Sequence, residues 1–442
     1  MVKGDKKTIR GWVFYDWANS VYNLVISSAI FPIFYTNVTK SVYLEKLEAE
    51  GKTYTEGMPV LVDFFGFHLE SQVLISYILS ASFLVVSFLS PLLSGVADLI
   101  GSKKRFLQFF CYLGAFSCMA LSGFKSNIEW GLVALFLASI GFWNSLVFYN
   151  AYLPEIAEPE DHDKISARGF SMGYVGSMIL LVICLVIIMG LGKEYTKYCF
   201  ILVGLWWIGF SQITYRVLPN NVYNKKREKG FIWKGFKELQ LVFAEFRKTK
   251  RLKRYLASFF FFNTGVQTVM LMAVYFAKEE VNWGKSGGDT GLIISILLIQ
   301  ILGAVGAFLM SRISGKIGNI STLMLSVSIW VILCICAFFI ETPVQFYFLA
   351  CGVGLVMGGV QAIARSTYSK FLPETEDHAS YFSFYDVTEK IGIVLGTFFY
   401  GFVYAMTGNL RMSVLSITFF FAVGLILLFF VPKNEKPIES IG

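Results

Sequence analysis

The chain has 442 residues, 55% of them hydrophobic and only 15% charged, with a mean hydropathy of +0.61. That is more apolar surface than a soluble core can absorb, so a soluble enzyme or binding domain is excluded and a polytopic membrane protein is expected. The net charge of +8 does not point to nucleic acid, because the basic residues cluster in alternate loops instead of forming one recognition patch.

In chain order, apolar stretches run over approximately 9–37, 71–97, 105–123, 128–151, 167–191 and 197–217, then 255–277, 289–312, 320–340, 344–369, 382–407 and 411–431. Each is about 20 residues or longer, whereas outer-membrane strands would be about 10 residues with strict alternation, so helices are expected. The fold class predicted is an all-α polytopic membrane protein with twelve transmembrane helices in two six-helix lobes. The basic stretch before the first span imitates a signal peptide. However, Asp16, Asn19 and Asn23 interrupt its apolar part and no small-residue cleavage site follows, so a retained helix is expected.

Lys3, Lys6, Lys7 and Arg10 precede the first span, Lys103, Lys104 and Arg105 follow the second, and the loop between the halves is dense in Lys and Arg. The loop after the first span instead carries Glu45, Glu48, Glu50, Asp63 and Glu70. The positive-inside rule therefore places both termini and the middle loop in the cytoplasm. Within that loop Ile232, Phe236, Leu239, Phe243 and Phe246 recur at steps of four and three, which predicts an amphipathic helix on the membrane surface or under the bundle. The domain reading is an N-terminal lobe over 1–217, a linker over 218–254, and a C-terminal lobe with a short cytoplasmic tail over 255–442.

The halves read as parallel repeats. Leu153, Pro154, Glu155 after the fourth span matches Leu372, Pro373, Glu374 after the tenth. Glu160, Asp161, His162 and Glu376, Asp377, His378 follow, and Phe170, Ser171 and Phe382, Ser383 open the next spans.

Polar residues mark the helices that line a pathway. Asp16, Asn19 and Asn23 share one face of the first helix, Asn144 and Asn150 lie in the fourth, Asn263 and Gln267 in the seventh, Gln300 in the eighth, and Gln361 and Arg365 in the tenth. Asp386, Glu389 and Lys390 share a face of the eleventh, expected within its first two or three turns, about 5 to 15 Å deep. A charge inside a bilayer is costly enough to read as functional. A network of Asp16, Arg365, Asp386, Glu389 and Lys390 that breaks and re-forms is the expectation. The competing reading has Asp386 and Lys390 neutralising each other, Asp16 packing against a neighbour, and the amides serving as interhelical hydrogen bonds.

The turn after the second span, Ser94 to Arg105, carries Gly95, Asp98, Gly101 and a basic run. It resembles the signature loop of the major facilitator superfamily, with Leu99 where that loop has Arg. The equivalent second-half turn, Ser311 to Asn319, keeps Gly318 but has Gly315 where the acid would stand. A narrower resemblance rests on Tyr15-Asp16-Trp17-Ala18-Asn19-Ser20, on Phe148-Tyr149-Asn150-Ala151-Tyr152-Leu153-Pro154-Glu155, on the run from Gly358 to Ser366, and on Lys390. Together these are similar to the vacuole-effluxer branch of that superfamily, which includes a fungal autophagy-related amino-acid effluxer and many bacterial relatives.

The resemblance implies a secondary carrier working by alternating access, with amino acids or short peptides as the favoured solute and proton-coupled efflux as the favoured mode. Proton symport of another small or lipid-like solute, and a non-transporting sensor with the same fold, stay open. No Gly-rich turn ends in Gly-Lys-Ser or Gly-Lys-Thr, and the three histidines are scattered, so neither an ATPase nor an enzyme is expected. No cofactor or metal is expected, and a monomer in a bacterial cytoplasmic membrane is the reading for partners and location. The seven cysteines show no zinc or redox spacing.

Overall fold

The computed structural model describes residues 3–55, 58–220, 222–223, 225, 231–284 and 288–432. Its first helix, α1 (Lys6–Val21), is capped by Asp5, runs into a π-helical segment over Tyr22–Ala29 and turns by 43° into α2 (Phe31–Ala49). Pro32 at the start of α2 has no N–H with which to continue the hydrogen-bond ladder, and within the π-helical segment the Ser28 hydroxyl donates to the Asn23 carbonyl at 2.9 Å. The first span is therefore broken and longer than expected. It is followed by an antiparallel hairpin, β1 (Leu61–Phe64) and β2 (Phe67–Glu70), in a stretch that showed no regular element by periodicity.

The remaining helices are α3 (Ser71–Ile100), α4 (Lys103–Ala120), α5 (Ile128–Asn150), the short α6 (Leu153–Ile156), α7 (His162–Leu191) and α8 (Thr196–Val217). After the linker helix α9 (Phe231–Lys248) come α10 (Lys250–Glu280), α11 (Gly288–Ile317), α12 (Asn319–Phe338), α13 (Pro343–Phe371) and α14 (His378–Thr407). The last span is divided into α15 (Leu410–Ser416) and α16 (Thr418–Phe429). Among the described residues eleven helices are long and apolar enough to cross a membrane, and the bent α1–α2 pair makes twelve. Helices α3 and α14 end on glycines in the left-handed region, Gly101 and Gly408, where a side chain would be strained.

Helix α9 lies under the bundle and touches both halves. Its Gly235 approaches Gly95 of α3 backbone to backbone, while Phe243 and Phe246 stack near Phe384 of α14 at 5.7 and 5.5 Å. The side chains of Ile232 and Phe236 lie outside the described residues. The glycine pairs four apart sit at close crossings inside each half: Gly169 and Gly173 against α1, Gly354 and Gly358 against α11, and Gly392 and Gly396 against α10. They fasten helices within a half. Contact between halves is made chiefly by α3 with α14 and by α7 with α11 and α13.

Candidate functional site

Call the end of the bundle where α1 begins and α16 finishes the terminal face. Ten residues into α1, about 15 Å by the helical rise, Asp16 meets Arg365 of α13 across the two halves, with Oδ2 at 3.0 Å from Nη2. Both side chains are buried. The Tyr149 hydroxyl donates to the same Asp16 oxygen at 2.8 Å, and the remaining guanidinium protons reach Ser166 Oγ at 2.9 Å, the Ser166 carbonyl at 3.0 Å and Asn150 Oδ1 at 3.3 Å. Aromatic faces enclose the cation: Phe170 at 4.2 Å, Trp12 at 4.9 Å and Tyr149 at 5.6 Å, with Trp12 and Tyr149 stacked 4.4 Å apart. Gly169 passes so near that a Cβ there would stand 2.9 Å from Arg365 Nη2 and closer still to the Asp16 carboxylate.

A second buried cluster lies on α14. Lys390 is fully buried, 2.9 Å from Asp386 and 3.2 Å from Glu389, with its ammonium 3.5 Å over the Trp143 ring of α5 in the opposite half. Glu389 accepts from Gln267 at 2.6 Å and Asn263 at 3.5 Å, both on α10. Because α14 begins at His378, four residues before the predicted start, Lys390 stands about 18 Å along the helix by the helical rise. It is thus nearer the middle of the span than the 5 to 15 Å expected. No hydrogen bond or ion pair joins the two clusters among the described residues. The single network expected from sequence is therefore two separate ones in this conformation.

The terminal face is closed by two further inter-half contacts built from corresponding places in the repeats. In the first, Asp98 at the end of α3 accepts from the backbone N–H groups of Ala379 and Ser380 at 3.2 and 2.7 Å and from the Ser380 hydroxyl at 2.8 Å, capping α14. Lys103 lies 3.1 Å from Asp98 and also pairs with Glu155, which His378 approaches at 3.2 Å. The nearby Tyr223 ring sits under the Lys103 ammonium at 5.6 Å, and burial, then the Glu155 charge, pushes its phenol upward, so it stays a neutral donor.

In the second contact the acid comes from the other partner. The turn between α11 and α12 lacks a carboxylate, and Asp163 in the first turn of α7 supplies it. Its oxygens accept from Ser314 at 3.0 Å, Asn319 at 2.7 Å, Ser366 at 2.6 Å and Lys370 at 2.7 Å. Asp163 and Lys370 were not singled out by sequence. The signal available was the position of Asp163 directly after the repeated Glu-Asp-His, one residue past His162. His162 and His378 open α7 and α14, each a few residues ahead of the span starts expected at 167 and 382.

The other amides divide. Gln361 accepts from the Tyr174 hydroxyl at 2.6 Å and Gln300 from Ser177 at 3.5 Å, each a contact between halves. Asn144 donates to the Ile140 carbonyl of its own helix and leaves Oδ1 buried without a partner; Asn19 likewise leaves Nδ2. Asn23 contributes its carbonyl to the π-helical segment.

Twelve helices in two halves, meeting along a buried polar seam, define the fold of the major facilitator superfamily transporters. Of the solved structures that share it, one is FucP in the outward conformation, with a TM-score of 0.64 and 14% identity over 98% of this chain and 99% of that one. Another is a bacterial homologue of the iron transporter ferroportin in an outward-facing state, with a TM-score of 0.66 and 11% identity over 97% and 99%. Within that class the chain belongs to the family described as Vacuole effluxer Atg22 like, which it matches over residues 4–439. It is similar to the uncharacterized MFS-type transporter YxiO of Bacillus subtilis, at 29% identity over 99% of this chain and 97% of that protein. It is also similar to autophagy-related protein 22 of Saccharomyces cerevisiae, at 22% identity over 93% and 89%.

Proposed function

We propose that this transporter is a secondary active carrier that moves a small polar solute, amino acids or short peptides first, by alternating access and with proton-coupled efflux. The observation that carries the reading is the pair of buried charge clusters, Asp16 with Arg365 and Asp386 with Glu389 and Lys390, set where the halves meet. Isolated charges at that depth are costly, so their ion pairs are the contacts with most to gain from a change of partner. A polar solute or a proton entering the seam would supply such a partner. Asn19 and Asn144, each with a buried polar atom lacking a hydrogen bond, are suited to line the solute path with Asn263 and Gln267.

The basic loops support a cytoplasmic terminal face, which makes this conformer closed toward the cytoplasm, and the similarity to a Bacillus protein supports a bacterial cytoplasmic membrane. Asp98 and Asp163 would then act in the gate, and Asp386 or Glu389 would take the coupling proton while Lys390 exchanges partners. The preference for amino acids follows from the family alone. A monomer suffices, because each half completes the site of the other.

The test is purified protein in liposomes under an imposed pH gradient, offered pooled amino acids and dipeptides, with lumenal pH and solute movement both recorded, the latter by mass spectrometry. Solute flux that scales with the gradient is expected. Flux indifferent to the gradient would remove proton coupling, and failure of every pooled solute to move would remove the amino-acid class.

A further inference from the structure

A groove of about 510 Å³ opens on the outer side of the terminal face, between the first turns of α1 and the last turns of α8. Its wall is apolar, formed by Phe14, Ile213 and Val217. Its mouth carries Lys6, Lys7 and Arg10, all exposed, and none of the three makes an ion pair among the described residues. The one carboxylate at the mouth, Asp5, is turned into the helix, where it accepts from the Thr8 N–H at 2.9 Å, the Thr8 hydroxyl at 2.6 Å and the Lys7 N–H at 3.4 Å. The scaffold is also fixed: the Gly4 N–H donates to the Ile156 carbonyl at 2.9 Å and Thr214 donates to the Gly11 carbonyl at 2.7 Å.

A membrane protein that leaves three cations without an ion pair among the described residues above an apolar slot, at the boundary between hydrocarbon and water, presents the two chemistries of one ligand. The cations suit a phosphate and the slot suits a chain. We propose that this groove binds an anionic phospholipid, its phosphate held by Lys6, Lys7 and Arg10 and its first acyl carbons lying against Phe14, Ile213 and Val217. A free phosphate would use the mouth and leave the slot empty, whereas a zwitterionic lipid would use the slot and gain little from the cations. The site lies on the helix that carries Asp16, so an occupied groove would bear on α1 and α8 together. The proposal does not depend on which solute is carried.

The test is native mass spectrometry of the full detergent-purified chain titrated with phosphatidylglycerol and, separately, with phosphatidylcholine. Wild type is expected to retain phosphatidylglycerol in preference. Lys6→Gln, Lys7→Gln and Arg10→Gln together should weaken that retention at least about tenfold. Ile213→Trp, which keeps every cation and fills the slot, should weaken it as well, while Lys248→Gln with Lys250→Gln on another part of the face should not. Equal retention of the two lipids by wild type, or unchanged retention in the triple variant, would overturn the proposal. So would displacement of the lipid by excess inorganic phosphate together with an Ile213→Trp variant that binds normally, since the site would then read a free anion.

Discussion

Arg365 of α13 and Asp16 of α1, 349 residues apart in the chain, form a buried ion pair that joins the two halves of the bundle at 3.0 Å. The guanidinium is also held on one side by Ser166 and Asn150 and on the other by aromatic faces, so the carboxylate is not its only anchor.

Asp16→Asn is therefore expected to fold, because Asn keeps an oxygen for Tyr149 and for Arg365. Coupled transport should fall by at least about a hundredfold, about 2.8 kcal/mol at 1.4 kcal/mol per decade, because a neutral amide can neither take up a proton nor exchange the Arg365 charge. Reconstituted flux under a pH gradient checks this, and wild-type flux would remove the pair from the mechanism.

Gly169→Ala tests the same pair sterically. A Cβ would crowd the Asp16 carboxylate and Arg365 Nη2, and overpacking of this kind costs about 1 to 3 kcal/mol. Gly401→Ala on α14, where nothing lies within 4 Å, should be neutral or slightly stabilising. Thermal unfolding of the two variants in detergent separates them, and equal melting temperatures would contradict the geometry.

Lys390→Gln leaves the buried Asp386 and the half-buried Glu389 without their cation, and should destabilise the fold by about 3 to 5 kcal/mol. Adding Asp386→Asn removes one of the stranded charges and should recover much of that loss without restoring transport. A double-mutant cycle on stability, run beside flux, distinguishes neutralisation alone from a working role, which active double variants would exclude.

The contact of Asp163 with Lys370 and Asn319 is expected to hold the terminal face shut. Asp163→Asn should shift the population toward opening by roughly tenfold, equivalent to about 1.4 kcal/mol. Spin labels at the exposed positions 160 and 374, one on each half, report the separation. An unchanged distance distribution would assign Asp163 to packing only.

Which parts of this arrangement were readable beforehand follows from the range of the forces involved. Twelve spans, the amphipathic α9 and the side chains sharing a helix face came from composition and periodicity, because the cost of an unpaired backbone in lipid is local and leaves one regular solution. Asp16, Arg365 and Lys390 stood out for the same reason, each being a charge that lipid does not tolerate. The break at Ile30 and the hairpin between Leu61 and Glu70 were not readable, since a π-helical segment has no periodic signature and Phe65 takes its positive φ of 45° where its N–H reaches Glu129.

By itself, then, the sequence determined the class of protein, the spans and the costly residues, all consequences of transfer from water to lipid. Only the tertiary structure decided who partners whom. It separated Asp16 and Arg365 from Lys390 and its carboxylates, set Lys390 near the middle of its span, and brought Asp163 to the turn that lacks its own acid. Those choices depend on how helices distant in sequence cross, a matter of glycine contacts and side-chain packing that a one-dimensional pattern does not encode.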